Sequence, residues 1–152
     1  MTLSCVIIAF NAEKTLSICI ESIQKQTVPL HEIIVIDDNS KDKTDYLVRQ
    51  LSRDNYKVRL ISRLGRYGLS SAIKEGCLNA NGDIIAVMDS DGQHEVQSVF
   101  NSIDKLIKSK NDLIMGSRFL KKSSIKGLSK RRAEGSNFAN KLARLSLSSN
   151  YK

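Results

Sequence analysis

The sequence predicts an α/β fold, with a mostly parallel, twisted sheet and helices on both faces. Three observations predict it. Short, almost wholly apolar runs recur from Leu3 to Met115, stretches with apolar residues at helical spacing separate them, and polar residues rich in Asp and Asn close them. Strand–helix alternation of this kind favours parallel pairing, because each helix carries the chain back to the starting edge of the sheet.

Leu3–Phe10 (LSCVIIAF) reads as a strand buried on both faces. Asn11 is a candidate cap for a helix over roughly Glu13–Gln26, where Leu16, Ile20 and Ile23 recur at helical spacing. Pro29 breaks the chain, and Glu32–Asp37 (EIIVID) reads as a second buried strand. Ser40 starts a helix through Leu51, with Tyr46, Leu47 and Leu51 on its inner side. Val58–Ser62 is a third strand. A loop containing Gly65 and Gly68 leads into a helix over Leu69–Asn79. Asn81-Gly82 forms a turn before a fourth strand, Asp83–Asp89 (DIIAVMD). Val96–Ser109 is helical, and Asp112–Met115 is expected as a short fifth strand.

The chain has 152 residues, enough for one core, and 24 Lys+Arg against 16 Asp+Glu. One proline, eight glycines and a hydrophobic fraction of 41% exclude collagen-like, Pro-rich and disordered chains. No apolar run approaches a membrane span of about 18 residues, and the N-terminus lacks the pattern of a signal peptide. The net charge of +8 is unevenly placed. Residues 1–115 carry 14 basic and 15 acidic side chains, whereas residues 116–152 carry 10 basic residues and one acid, Glu134. We therefore expect a single domain with two parts: a near-neutral α/β core over 1–115, and a basic loop and helix over 116–152. Cys5, Cys19 and Cys77 form no C-x-x-C pair and read as small core residues in a reducing cytosol.

In an open α/β sheet the ligand lies beyond the carboxyl ends of the strands. Those ends hold Asn11, Asp37-Asp38-Asn39, Ser62–Gly68, Asp89-Ser90-Asp91 and Gly116-Ser117-Arg118. The sharpest signal is Asp89-Ser90-Asp91-Gly92-Gln93. Two carboxylates two residues apart leave a strand where both can turn toward one ion, and hard oxygen donors suit Mg²⁺ or Mn²⁺. The competing account is an Asp-Gly turn with Asp91 capping the next helix. Asp37-Asp38 ends its strand in the same way, and an acid there can bond a nucleotide's ribose or base. No G-x-G-x-x-G follows the first strand, no G-x-x-x-x-G-K-[ST] occurs, and Gly116-Ser117-Arg118 is not a nucleophile elbow. These absences argue against dinucleotide dehydrogenases, P-loop ATPases and α/β-hydrolases.

The ordered segments IIAFNAEKTL, IIVIDDNSKDKT, GRYGLSSAIKEGCLNANGDIIAVMDSDGQH and IMGSRF resemble the family 2 glycosyltransferases, whose fold is the Rossmann-like GT-A fold of nucleotide-diphospho-sugar transferases. The stretch GLSKRRAEGSNFANKLARL is similar to the region after the fifth strand of dolichyl- or polyprenyl-phosphate mannose synthases. The resemblance spans about residues 4–145. It implies that Phe10, Asn11 and Glu13 line the nucleotide pocket and that Asp38 contacts the base. It implies further that Asp89 and Asp91 bind the metal bridging the diphosphate, with Gln93 as another ligand. Arg118 and Arg132, with Ser136, are implied to hold the acceptor phosphate, and Arg66 matches a basic position before the glycine that opens the third helix. Ala9 stands where the family usually has proline, and the family pattern continues past Lys152 with a Ser-Gly-Phe-Arg segment and further helices.

The function implied is transfer of a sugar, mannose from GDP-mannose, onto a dolichyl or polyprenyl phosphate, with inversion at the anomeric carbon. An ion at Asp89 and Asp91 offsets charge on the departing diphosphate. A phosphate acceptor is already ionised at neutral pH, which agrees with a site lacking an obvious catalytic histidine. Other sugars, a saccharide acceptor, or a non-catalytic nucleotide-sugar-binding chain remain open. The basic segment suits an acceptor phosphate and peripheral contact with the cytosolic face of a membrane. Equally, Phe138, Leu142 and Leu145 make a stripe that can pack on the sheet. Nucleic acid is not expected as a partner, since the basic segment has only Phe119, Phe138 and Tyr151 as aromatics.

Overall fold

Seven consecutive residues without a charge, LSCVIIA, form β1 (Leu3–Ala9), and all seven are buried. Such a run belongs in the middle of a sheet covered on both faces. The computed structural model describes residues 1–26, 30–91, 96–109 and 111–116. In it β1 pairs in parallel with β2 (Leu30–Asp37) on one side and with β4 (Ile84–Asp89) on the other. β2 pairs in parallel with β3 (Val58–Ser62), so the sheet runs in the order β3-β2-β1-β4. The chain divides into two units, Met1–Gly116 and Ser117–Lys152, and the sheet with its helices belongs to the first.

Helices cover both faces. On one face α1 (Leu16–Gln24), α2 (Thr44–Asp54) and α4 (Val96–Lys108) meet the side chains of Cys5, Ile7, Ile33, Val35 and Met88. They do so through Leu16, Cys19, Ile20 and Ile23, through Leu47, Val48 and Leu51, and through Val99, Phe100 and Ile103. On the other face α3 (Leu69–Asn79) packs Ala72 and Ile73 against Val6, Ile8, Ile34 and Ile36. Alternate residues of β1 and β2 thus serve opposite layers, as the two-residue period of a strand requires. Each such Ile, Leu or Val, once fully buried, contributes roughly 1.5–3 kcal/mol. Gly76 sets the depth of α3: a Cβ there would lie 2.3 Å from Val6 Cγ1.

At the amino-terminal edge of the sheet a buried polar knot closes the core. Glu32 is 4% exposed, and its Oε1 accepts from Ser4 Oγ at 2.9 Å and from the Asn81 N–H at 2.7 Å. Arg59 Nη1 donates to Oε2, and the Gly82 N–H donates to Ser4 Oγ at 2.8 Å. Gly82 packs so closely that a Cβ would meet Ser4 N at 2.7 Å. Burial pushes the Glu32 carboxyl up, but the hydrogen bonds from Asn81, Arg59 and Ser4 outweigh it and hold it below its ordinary value.

Four sequence expectations are corrected. Asp112–Met115 is not a strand; Leu113 and Met115 stand 73% and 78% exposed with no sheet pairing. Among the described residues no strand lies beside this short Asp-Leu-Ile-Met segment to pair its backbone. Tyr46 is 62% exposed, and the inner side of α2 is instead Thr44, Leu47, Val48 and Leu51. Asn11 does not cap α1, which begins at Leu16 after Thr15. Ser40 does not open α2, which begins at Thr44. Both residues are drawn into the loop contacts described next. The expected break at Pro29 lies outside the described residues.

Candidate functional site

The parallel sheet brings the carboxyl ends of all four strands to one edge, where the segments that follow them build a cleft. After β1 the chain turns at Asn11, whose φ of 53° lies in the left-handed region that asparagine tolerates better than most residues. Its N–H donates to Ser40 Oγ at 2.8 Å, and its Oδ1 accepts from the Lys41 N–H at 2.8 Å. The Ala12 N–H donates to Thr44 Oγ1 at 2.8 Å. Glu13 completes the stitching: its N–H donates to Asp42 Oδ2 at 3.1 Å, and its Oε2 accepts from the Lys43 N–H at 3.0 Å. Asn11 and Glu13 thus lash the loop after β1 to the loop after β2, and neither lines the cleft.

The cleft has a volume of about 270 Å³. One wall holds Phe10, Asp38 and Arg66; the other holds Asp89 and Asp91, with Ile8 and Leu69 as apolar lining. Phe10 leaves the end of β1 37% exposed, and the Arg66 guanidinium lies 3.8 Å from its ring centroid. A cation over an aromatic face is attracted by the ring quadrupole. The Asp38 N–H donates to the Ala9 carbonyl at 2.9 Å, which extends the sheet ladder by one bond and fixes where the side chain starts. Asp38 Oδ1 accepts from Arg63 Nη1 at 2.6 Å and from the Tyr67 N–H at 3.3 Å, while Oδ2 lies 4.0 Å from Arg66 Nε. Gly68, with φ of 87°, lets the loop turn into α3, a conformation that L side chains rarely adopt.

On the opposite wall the Ser90 N–H donates to the Ile8 carbonyl at 3.2 Å, continuing the pairing of β1 and β4 past Asp89. Residues 89, 90 and 91 then alternate exposed, buried, exposed, so the two carboxylates project together while Ser90 turns inward at 7% exposure. Behind them sits Cys19. Burial, and then the charge of Asp91, push its thiol up. Among the described residues no group of three or more His, Cys, Asp or Glu converges on one point. The two acids therefore suit an ion that takes its remaining ligands from water and substrate phosphates, as Mg²⁺ and Mn²⁺ do.

Five of the residues singled out in the sequence, Phe10, Asp38, Arg66, Asp89 and Asp91, are brought together around the cleft. Gln93, Arg118, Arg132 and Ser136 lie outside the described residues. Sequence reasoning missed Arg63, whose side chain is 6% exposed and tied to Asp38. No local pattern marks it, since its partners are brought near only by the fold.

The chain is an open α/β domain of the GT-A kind, with its cleft at the carboxyl ends of the strands and an acid pair closing the strand that borders it. A mannosyltransferase from Pyrobaculum calidifontis, solved in complex with GDP-Man and Mn²⁺, shares this fold with a TM-score of 0.61 at 22% identity, over 68% of this chain and 32% of that one. The chain belongs to glycosyl transferase family 2, whose profile matches residues 4–151. It is 36% identical over 122 residues to a dolichol-phosphate mannosyltransferase of Pyrococcus furiosus, covering 80% of this chain and 34% of the relative. A dolichyl-phosphate beta-glucosyltransferase of Trichomonas vaginalis is 34% identical over 92 residues, 57% of this chain and 27% of the relative. The chain thus spans about a third or less of the length of these two relatives.

Proposed function

We propose that this chain is the nucleotide-sugar-binding part of a glycosyltransferase that moves a sugar, mannose from GDP-mannose, onto a dolichyl or polyprenyl phosphate. The observation that carries the reading is the two-walled cleft: an aromatic, an acid and a cation face a pair of carboxylates across a space of about 270 Å³. The two relatives named for dolichol-phosphate and dolichyl-phosphate transfer support the acceptor class; they differ in the sugar, so mannose rests on the first of them.

Phe10 offers a face for the nucleobase, and Asp38 Oδ2 accepts a hydrogen bond from its edge. Asn11 and Glu13 act from behind, holding the two loops that carry Phe10 and Asp38. Asp89 and Asp91, with Gln93, hold Mg²⁺ or Mn²⁺, which when bound offsets the negative charge that develops on the diphosphate leaving group. Arg118, Arg132 and Ser136 hold the acceptor phosphate, whose oxygen attacks in line and inverts the anomeric carbon. The basic segment over 116–152 keeps the protein at the cytosolic face of a membrane as a peripheral partner. Among the described residues no helix is long and apolar enough to cross one.

The test has two stages. GDP should bind more tightly with Mn²⁺ than without, and Asp91→Ala should erase that difference, a loss of about tenfold or more in affinity. The protein should then pass labelled mannose from GDP-mannose to a polyprenyl phosphate. Labelled lipid from UDP-glucose alone would replace the sugar and keep the site. Metal-dependent binding without any product would identify a non-catalytic nucleotide-sugar-binding chain, and no metal-dependent nucleotide binding would overturn the site.

A further inference from the structure

We propose that Arg63 is a positioning residue for nucleobase selection: it locks one oxygen of Asp38 so that the other faces the cleft in a fixed direction. The inference rests on reading Asp38 as the base contact. All three guanidinium nitrogens of Arg63 are engaged. Nη1 donates to Asp38 Oδ1 at 2.6 Å, Nη2 donates to Ser71 Oγ at 2.8 Å, and Nε pairs with Glu75 Oε2 at 3.0 Å. The Arg63 N–H also donates to the Asp37 carbonyl at 3.0 Å, so backbone and side chain both hold the residue to the end of β2. Ser71 and Glu75 lie on successive turns of α3, which anchors the fork to the helix on the far side of the cleft wall.

Asp38 divides its two oxygens accordingly. Oδ1 takes both of the described hydrogen bonds to the side chain, from Arg63 and the Tyr67 N–H. Among the described residues the one charged partner of Oδ2 is Arg66 Nε, at 4.0 Å, beyond hydrogen-bonding reach. Yet among the described residues no fully buried side-chain oxygen or nitrogen lacks a partner. Oδ2 therefore keeps a share of accessible surface, and Asp38 lines the cleft. The carboxylate cannot rotate without surrendering the Arg63 bond.

Stability alone is a weak reason for such a pair. Both side chains of the Arg63–Asp38 pair are 6% exposed, and a buried ion pair recovers little more than the cost of desolvating its charges. Direction is what the fork supplies, since a planar guanidinium with three fixed partners sets the carboxylate plane in a way a lysine cannot. A base is read by the pattern of donors and acceptors along its edge. Guanine offers an N–H beside an amino group, and uracil offers a single N–H between two carbonyls. An acceptor held in one direction separates these patterns, and one free to rotate adapts to either.

The experiment measures binding of GDP, UDP and inorganic pyrophosphate, each with Mn²⁺, to the full chain and to Arg63→Lys. The expected result is that the wild-type chain separates GDP from UDP, and that Arg63→Lys lowers affinity for the preferred nucleotide about tenfold. The ratio should fall toward one while pyrophosphate binding stays unchanged. In an Asp38→Asn background, Arg63→Lys should have no further effect. Glu75→Gln, a milder change that removes the ion pair on Arg63 Nε and leaves the Ser71 bond, should lower the ratio in the same direction, and it serves if Arg63→Lys does not fold. An equal loss for all three ligands, an unchanged ratio in both variants, or a wild-type chain blind to the base would overturn the role of Arg63. A wild-type chain that binds pyrophosphate and neither nucleotide would overturn Asp38 as base contact, and the inference with it.

Discussion

Gly76 carries α3 on the face of the sheet, and its replacement by alanine is a test of how rigid that seat is. The new Cβ would lie 2.3 Å from Val6 Cγ1 and 3.3 Å from Ile36 Cγ1. Carbon atoms rest about 3.5–4.0 Å apart, so the first contact demands a shift of more than about 1 Å. Val6 cannot supply it, being 0% exposed in a strand paired on both sides. Overpacking of this kind costs about 1–3 kcal/mol, while alanine in a helix gains about 1 kcal/mol over glycine. The expected net loss is up to about 2 kcal/mol, a fall of up to roughly 4–8 °C in Tm for a chain of this size. Val6→Ala removes the offending methyl and leaves Val6 Cβ at 3.5 Å, an ordinary contact. In that background only the 3.3 Å approach to Ile36 Cγ1 remains, and Gly76→Ala should lose most of its cost and come within about 0.5 kcal/mol of neutral. Urea or thermal unfolding of the four proteins of the cycle measures the coupling. Equal destabilisation by Gly76→Ala in both backgrounds would refute the reasoning.

The remaining predictions concern charge and thiols. Because the hydrogen bonds on Glu32 hold its carboxyl below the ordinary value of 4.5, its stabilising contribution is present above that pH and is lost as pH falls through the folded-state value. Glu32→Gln should therefore be less stable than wild type at pH 7 by about 2 kcal/mol, with the gap closing below pH 4.5. A gap of the same size at pH 7 and pH 3, read by urea unfolding, would count against it. Burial pushes the Cys5 thiol up to about 12, and Cys19 is raised in the same way, whereas Cys77 is half-buried. Iodoacetamide at pH 8 should label Cys77 first by mass spectrometry; earlier labelling of Cys5 would contradict the packing.

The strands and helices were legible because their signals are local. Apolar runs such as IIVID and the spacing of Leu16, Ile20 and Ile23 survive into the structure with their burial intact. Asp89 and Asp91 were legible for the same reason, since a strand end and a two-residue spacing place them together. Errors arose where a residue had two local options and the fold chose between them. Tyr46 and Val48 both lie on turns of α2, and the sheet received Val48. Asn11 and Ser40 both favour helix caps, but each sits beside the other's loop and bonds there instead. Asp112–Met115 has strand-like residues but no paired neighbour among the described residues. Arg63 was invisible because its partners lie 8, 12 and 25 residues away in sequence and meet only when β2, β3 and α3 are assembled.

The strand order also sets how the cleft can come apart. β1 finds β2 after a short crossover, but it finds β4 only across a gap of some 81 residues, the separation of Thr2 from Asp83. Long closures of this kind form late and open early, because their contacts come only after the intervening chain is ordered. Among the described strands β4 lies outermost beside β1, and its detachment would carry Asp89 and Asp91 away together. Phe10, Asp38 and Arg66 would keep their places on the remaining three strands. The two walls are thus separable units of stability, and native-state hydrogen exchange should find β4 amides opening at lower free energy than those joining β1 to β2. A form that keeps the wall of Phe10, Asp38 and Arg66 while the acid pair has left it is a partly opened state that this topology makes accessible.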